Sequence, residues 1–154
     1  MDTHTLHPMV VHFPIVLLLG ATLLIALLVA GKPVEKLTLW VLGTGVVTAW
    51  AALYTGNLAE EHAEEAWHVP ERVLENHERG GQITLVLFLL AFILLWVWRR
   101  QGQRALLAVA AAVAVAGSAA LVYTGHEGGE IVYEHALSSV SDSVATTSRH
   151  HDDD

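Results

Sequence analysis

The sequence predicts an all-α fold, a four-helix transmembrane bundle. Hydrophobic residues make up 53% of the 154 positions and charged residues only 16%, less charge than a soluble domain of this size carries. The apolar residues are gathered into four long runs, which is the pattern of a polytopic helical membrane protein. Basic and acidic connections alternate between those runs, so the chain also carries a reading of its orientation.

The spans are expected at about 9–30, 37–54, 83–98 and 105–123. At 1.5 Å per residue, runs of roughly 16 to 22 residues reach about 24 to 33 Å, close to the hydrocarbon thickness of a bilayer. Backbone polar groups in lipid must pair within their own segment, so each run is read as a helix. No Lys or Arg precedes the first run and its apolar stretch is long, so it is read as a retained span rather than a secretory leader. The fourth run places Ala108, Ala112, Ala116 and Ala120 four residues apart, a small-residue stripe expected to be its packing face.

Loop charge sets the topology. Lys32 and Lys36 flank the first turn, and Arg99, Arg100 and Arg104 flank the turn between spans three and four. The other side carries Glu60, Glu61, Glu64, Glu65, Glu71, Glu75 and Glu78 between spans two and three. Basic loops stay inside. Both termini and the 57–79 loop are then expected to face outward, on the periplasmic side if the membrane is a bacterial inner membrane. Trp40, Trp96 and Trp98 fall at the inner interface, Tyr54 and Tyr123 at the outer.

Residues 1–137 form one four-span domain. The segment 138–154, rich in Ser, Thr and Asp, is expected to be a disordered polar tail. The hexapeptide Ala51-Ala-Leu-Tyr-Thr-Gly56 recurs as Ala119-Ala-Leu-Val-Tyr-Thr-Gly125 with one insertion. The echo fits two tandem helical hairpins related by an axis along the membrane normal. It fits equally an interfacial helix end that uses glycine as its C-terminal cap.

Ten histidines are present, and all of them fall on the periplasmic side of this topology. Imidazole binds metal and haem iron and carries protons near neutral pH. Cysteine is absent, which excludes disulfides, thiolate metal sites, iron–sulfur ligation and covalently attached c-type haem. A net charge of −8 without a basic patch excludes nucleic acid as a partner. The serines lie in the polar tail or, for Ser118, among alanines, so hydrolytic catalysis is not expected.

Span one starts, span two ends, span three starts and span four ends at the same membrane face. His7, His12, His62, His77, His126 and His135 therefore converge at one mouth of the bundle. His12 lies just inside span one, and Pro14 leaves the carbonyl of Val10 without its helical donor. His77 continues the apolar face of Val69, Val73 and Leu74 and should be directed at the bundle or the lipid. Gly128 and Gly129 permit a sharp return of the chain after span four.

Three functions fit. In the first, His7, His12, His77 and His135 supply the axial pair for a b-type haem (haem b) at the outer face, making the chain an electron-transfer or accessory subunit rather than a stand-alone enzyme. In the second, His62, His126 and Glu130 contribute to a copper or zinc site. In the third the chain is a membrane scaffold without a cofactor.

The segments His7-Pro8…Val11-His12-Phe13-Pro14-Ile15 and Gly128-Gly129-Glu130-Ile131-Val132-Tyr133-Glu134-His135 resemble an uncharacterised bacterial family of four-helix inner-membrane proteins, the domain of unknown function 2231. The resemblance runs to about residue 137. It maps most directly onto His7, His77 and His135, and it implies a cytochrome or Rieske-type redox partner. Ala136 stands here where the family tends to have glycine. The lipid bilayer is the expected environment, and assembly as a homo- or hetero-oligomer is open.

Overall fold

A computed structural model describes residues 3–67, 69–131 and 133, and for residues 3–6 and 60–67 the backbone only. The described chain is helical: α1 (Thr3–Val10), α2 (His12–Val29), α3 (Glu35–Trp67), α4 (Glu71–Gln101) and α5 (Arg104–Glu130). A turn at Val11 separates α1 from α2. Pro8 and Pro14 flank this turn, and each removes a backbone donor from the helical ladder. Four stretches are long and apolar enough to cross a membrane: His7–Val29, Glu35–Ala59, Glu71–Gln101 and Arg104–Glu130.

Each helix buries one narrow stripe. On α2 it is Pro14, Leu18, Ala21, Ile25 and Leu28. On α4 it includes Leu74, Gly80, Thr84, Phe88, Ala91 and Leu95, and on α5 Leu107, Ala110, Ala114, Gly117 and Thr124. The steps of three and four residues keep each stripe on one helical face. Val16, Leu23, Val47, Val86, Val115 and Val122 point outward, each more than 60% exposed. A belt of that kind is unfavourable against water and suits lipid tails.

The helices close into a ring. α2 packs on α3 and α5, and α4 packs on α5 and α3, while α1 lies on α3. α2 and α4 are therefore diagonal across the bundle, as are α3 and α5. The turns after α2 and α4 are closed by Gly31 and Gly102, both at positive φ (79° and 69°), the left-handed region that glycine enters without a Cβ penalty. An ion pair between Arg99 and Glu35 at 2.8 Å ties the two hairpins together at that end.

Three sequence expectations change. The alanine stripe does not face the bundle: Ala108, Ala112 and Ala116 are exposed, and α5 packs through Leu107, Ala110, Ala114 and Gly117. The small residues permit close approach on both faces, and the bulk of the neighbouring Phe88 and Leu18 selects the other one. Secondly, Gly56 and Gly125 do not end their helices, because α3 continues to Trp67 and α5 to Glu130. Thirdly, Gly128 and Gly129 sit inside α5, so the chain makes no sharp return at that point. The connection between spans two and three is correspondingly short: α3 and α4 project beyond the apolar zone, and α4 starts after Pro70. Val69, Leu74 and Ile131 form a small apolar cluster above the main core.

The two hairpins repeat one another in register. Leu18, Ala21 and Ile25 of α2 match Phe88, Ala91 and Leu95 of α4 at an interval of seventy residues, and all six are 0–1% exposed. His7 and His77 stand at the same interval, as do the buried Pro14 and Thr84. On α3 and α5, Leu39, Leu42 and Ala49 match Leu107, Ala110 and Gly117, all buried. The tandem-hairpin reading is thus carried by burial over the length of the helices, far beyond the short sequence echo.

Candidate functional site

At the end of the bundle opposite the Gly31 and Gly102 turns, α1 and α4 approach from diagonal corners, and each carries a histidine on its inward face. The His7 and His77 rings have their centroids 6.3 Å apart and their planes at 88°. Both are partly buried.

Each imidazole is held by the helix beside it. His7 Nδ1 donates to the carbonyl of Ala52 at 3.0 Å and lies 3.2 Å from Thr55 Oγ1, and that hydroxyl itself donates to Ala52 O at 3.0 Å. His77 Nδ1 donates to the carbonyl of Thr124 at 3.0 Å. A carbonyl can only accept, so Nδ1 must carry the proton in both rings. In the neutral imidazole this tautomer leaves the Nε2 lone pair free, the arrangement used by histidines that ligate a metal.

The seats are built alike. Four residues beyond Ala52 is Gly56, and four beyond Thr124 is Gly128. In an α-helix the side chain at n+4 stands over the carbonyl of residue n. A Cβ at Gly56 would lie 3.1 Å from His7 Cε1, and one at Gly128 would lie 2.8 Å from His77 Cε1. The missing side chain is what lets each ring reach a carbonyl that already belongs to the helical ladder. Gly80 adds a third close approach, because a Cβ there would meet Thr124 Oγ1 at 2.5 Å. It allows α4 and α5 to come close enough for His77 to reach Thr124.

The other sequence candidates are placed differently. His12 is exposed and donates from Nδ1 to the carbonyl of Pro8 at 2.6 Å, within its own turn of the chain, not to the carbonyl of Val10. His126 and Glu130 lie on exposed positions of α5. Glu127, by contrast, is near enough to act electrostatically on His77. His62 lies on α3 with its side chain outside the described residues, and His135 lies outside them altogether. No group of three or more metal-ligating side chains occurs among the described residues.

Sequence reasoning did not find the carbonyl acceptors or the glycine seats. A backbone acceptor leaves no residue-type signal. Gly56 was visible only as part of the Tyr-Thr-Gly echo, and that echo aligns it with Gly125, beside which an added Cβ meets nothing. The equivalent seat is Gly128. A glycine inside a long helix, opposite a histidine on a neighbouring helix, is the signal that was available.

No curated protein and no solved structure matches this chain. A family model described as a predicted membrane protein (DUF2231) matches residues 3–141. With that match over most of its length and four helices of spanning length, the chain belongs to this family and is a multi-pass membrane protein.

Proposed function

We propose that this protein is an electron-transfer or accessory subunit of a bacterial inner membrane, holding a b-type haem between His7 and His77 at the periplasmic face. One observation carries the reading: two imidazoles from opposed helices, each donating through Nδ1 to a backbone carbonyl, with no hydrogen bond at Nε2 among the described residues.

Among the described residues two imidazoles meet at the mouth, and a pair suits haem better than a bare metal ion. Protein zinc and copper sites take three or four side-chain ligands. Haem needs few ligands from the protein, and His7 and His77 are the residues that would hold it. The ring centroids lie 6.3 Å apart, so His7 and His77 are close enough that both would hold one shared group. A haem in this position would exchange single electrons with a cytochrome or Rieske-type partner on the outer face. The chain's own part is to hold both rings in one tautomer, to surround them with helix backbone, and to keep the bulk of Leu18 and Phe88 below them.

The test is the visible spectrum of the full-length protein purified in detergent, oxidised and reduced, with metal analysis. We expect a Soret band that is lost in His7→Ala and in His77→Ala and kept in His12→Ala and His126→Ala. A colourless protein, bound copper or zinc without a Soret band, or a band that survives both inner substitutions would overturn the assignment.

A further inference from the structure

Among the described residues, one buried side-chain polar atom has no hydrogen-bond partner. Thr84 Oγ1 is buried, in a residue 3% exposed, and makes no hydrogen bond with the described residues. It lies on the same α4 face as His77, two turns deeper. A helical threonine has an easy local solution, donation to the carbonyl four residues back. Thr22, Thr38, Thr48 and Thr124 all adopt it, at 2.8 to 3.0 Å. Thr84 does not.

The matching position on the diagonal helix is Pro14, which is also buried. Proline offers no N–H, so the carbonyl of Val10 lacks its helical donor on that buried face. An unused donor and an unused acceptor thus occupy the same layer of the repeat. Pro14, Ala49, Ala52, Gly80 and Thr124, small or short side chains, are buried on the helices around Thr84. Beneath it Leu18 and Phe88, both 0% exposed, close the bundle.

We propose that this layer binds an ordered water, which accepts from Thr84 Oγ1 and donates to the carbonyl of Val10. Buried water occupies sites of this kind, where it satisfies polar groups the protein leaves unpaired. The Leu18 and Phe88 floor makes the site one-sided, so the water exchanges toward the histidine mouth and not toward the inner face. Only this last consequence bears on the proposed function. The water site itself stands on geometry that is independent of any cofactor.

A double-mutant cycle in detergent-purified full-length protein tests it, read by thermal unfolding. Thr84→Val keeps the shape and removes the hydroxyl. If a water bridges the two groups, Thr84→Val lowers the melting temperature, and Thr84→Ser restores it. Pro14→Ala returns a backbone donor to Val10, so the loss from Thr84→Val should shrink in the Pro14→Ala background. A melting temperature unchanged or raised in Thr84→Val, or effects that simply add, would overturn the proposal. These results do not depend on the Soret band, so the two readings fail separately.

Discussion

Ala52 and Thr124 do the same work on different helices: each lends its carbonyl to a histidine of a neighbouring segment at 3.0 Å, and each is followed four residues later by a glycine beneath that histidine. The carbonyls stand seventy-two positions apart, and the histidines they hold stand seventy apart. The repeat is therefore one of construction and is not kept letter for letter. Each hairpin contributes one pinned imidazole, and the pair meets where the two halves of the bundle face each other. A buried imidazole N–H left without an acceptor would cost about 1–3 kcal/mol, so the carbonyl seats fix where the rings lie.

Gly128 and Gly125 separate the seat from the echo. Alanine in place of a helical glycine gains about 0.5–1 kcal/mol from backbone entropy. At Gly125 nothing opposes that gain, because an added Cβ meets no atom within 4 Å. At Gly128 it would meet His77 Cε1 at 2.8 Å, and overpacking of this kind costs about 1–3 kcal/mol. Gly125→Ala should leave the melting temperature equal or higher, and Gly128→Ala should lower it. The same outcome for both would remove the seat from the account.

The fold was legible because its signals are long. Each span repeats apolar residues over many turns, and loop charge is a bulk property that no single contact overrides. The helix ends were less legible. Tyr-Thr-Gly reads as a terminus, yet α3 and α5 run on: Gly56 seats the His7 ring on its helix, and Gly125 stays helical with open space beside it. The packing face of α5 was misread for a related reason: alanines line both faces, and only the partner's bulk distinguishes them. At the site, His7 and His77 could be named in advance since imidazole is a residue-type signal. Their pairing depends on which helices stand diagonal, and that is a property of the assembled ring.

Thr22 and Ser118 join α2 to α5 through their hydroxyls at 2.9 Å. Thr22 also donates to the carbonyl of Leu18 at 3.0 Å, so it keeps a partner if Ser118 is removed. Hydrogen bonds between membrane helices average about 0.6 kcal/mol, and Ser118→Ala should cost no more than that. Ser118→Leu forces a larger side chain into the same interface and should cost clearly more. Unfolding of both variants in a denaturing detergent titration would rank them, and equal losses would mean that the hydroxyl contact, not the close approach, holds α2 and α5 together.

Glu35 and Arg99 bridge the hairpins at the basic end, with side chains 38% and 42% exposed. At that exposure an ion pair contributes less than about 1 kcal/mol. Glu35→Gln should therefore leave unfolding nearly unchanged, and a large loss would show that this end is drier than its exposure implies.

The absence of cysteine makes the orientation directly testable, because a single introduced thiol is then the sole site for a maleimide. Asn57 and Gln103 are both exposed and lie at opposite ends of the bundle. The loop-charge rule predicts Arg99, Arg100 and Arg104 on the cytoplasmic side. A membrane-impermeant maleimide added to intact spheroplasts should label Asn57→Cys, and should label Gln103→Cys only after the membrane is opened. The reverse pattern would keep the bundle and its histidine pair intact but turn the pair toward the cytoplasm. On the proposed haem reading, a redox partner would then have to be sought on that side, since Leu18 and Phe88, both 0% exposed, lie beneath the pair whichever way it faces.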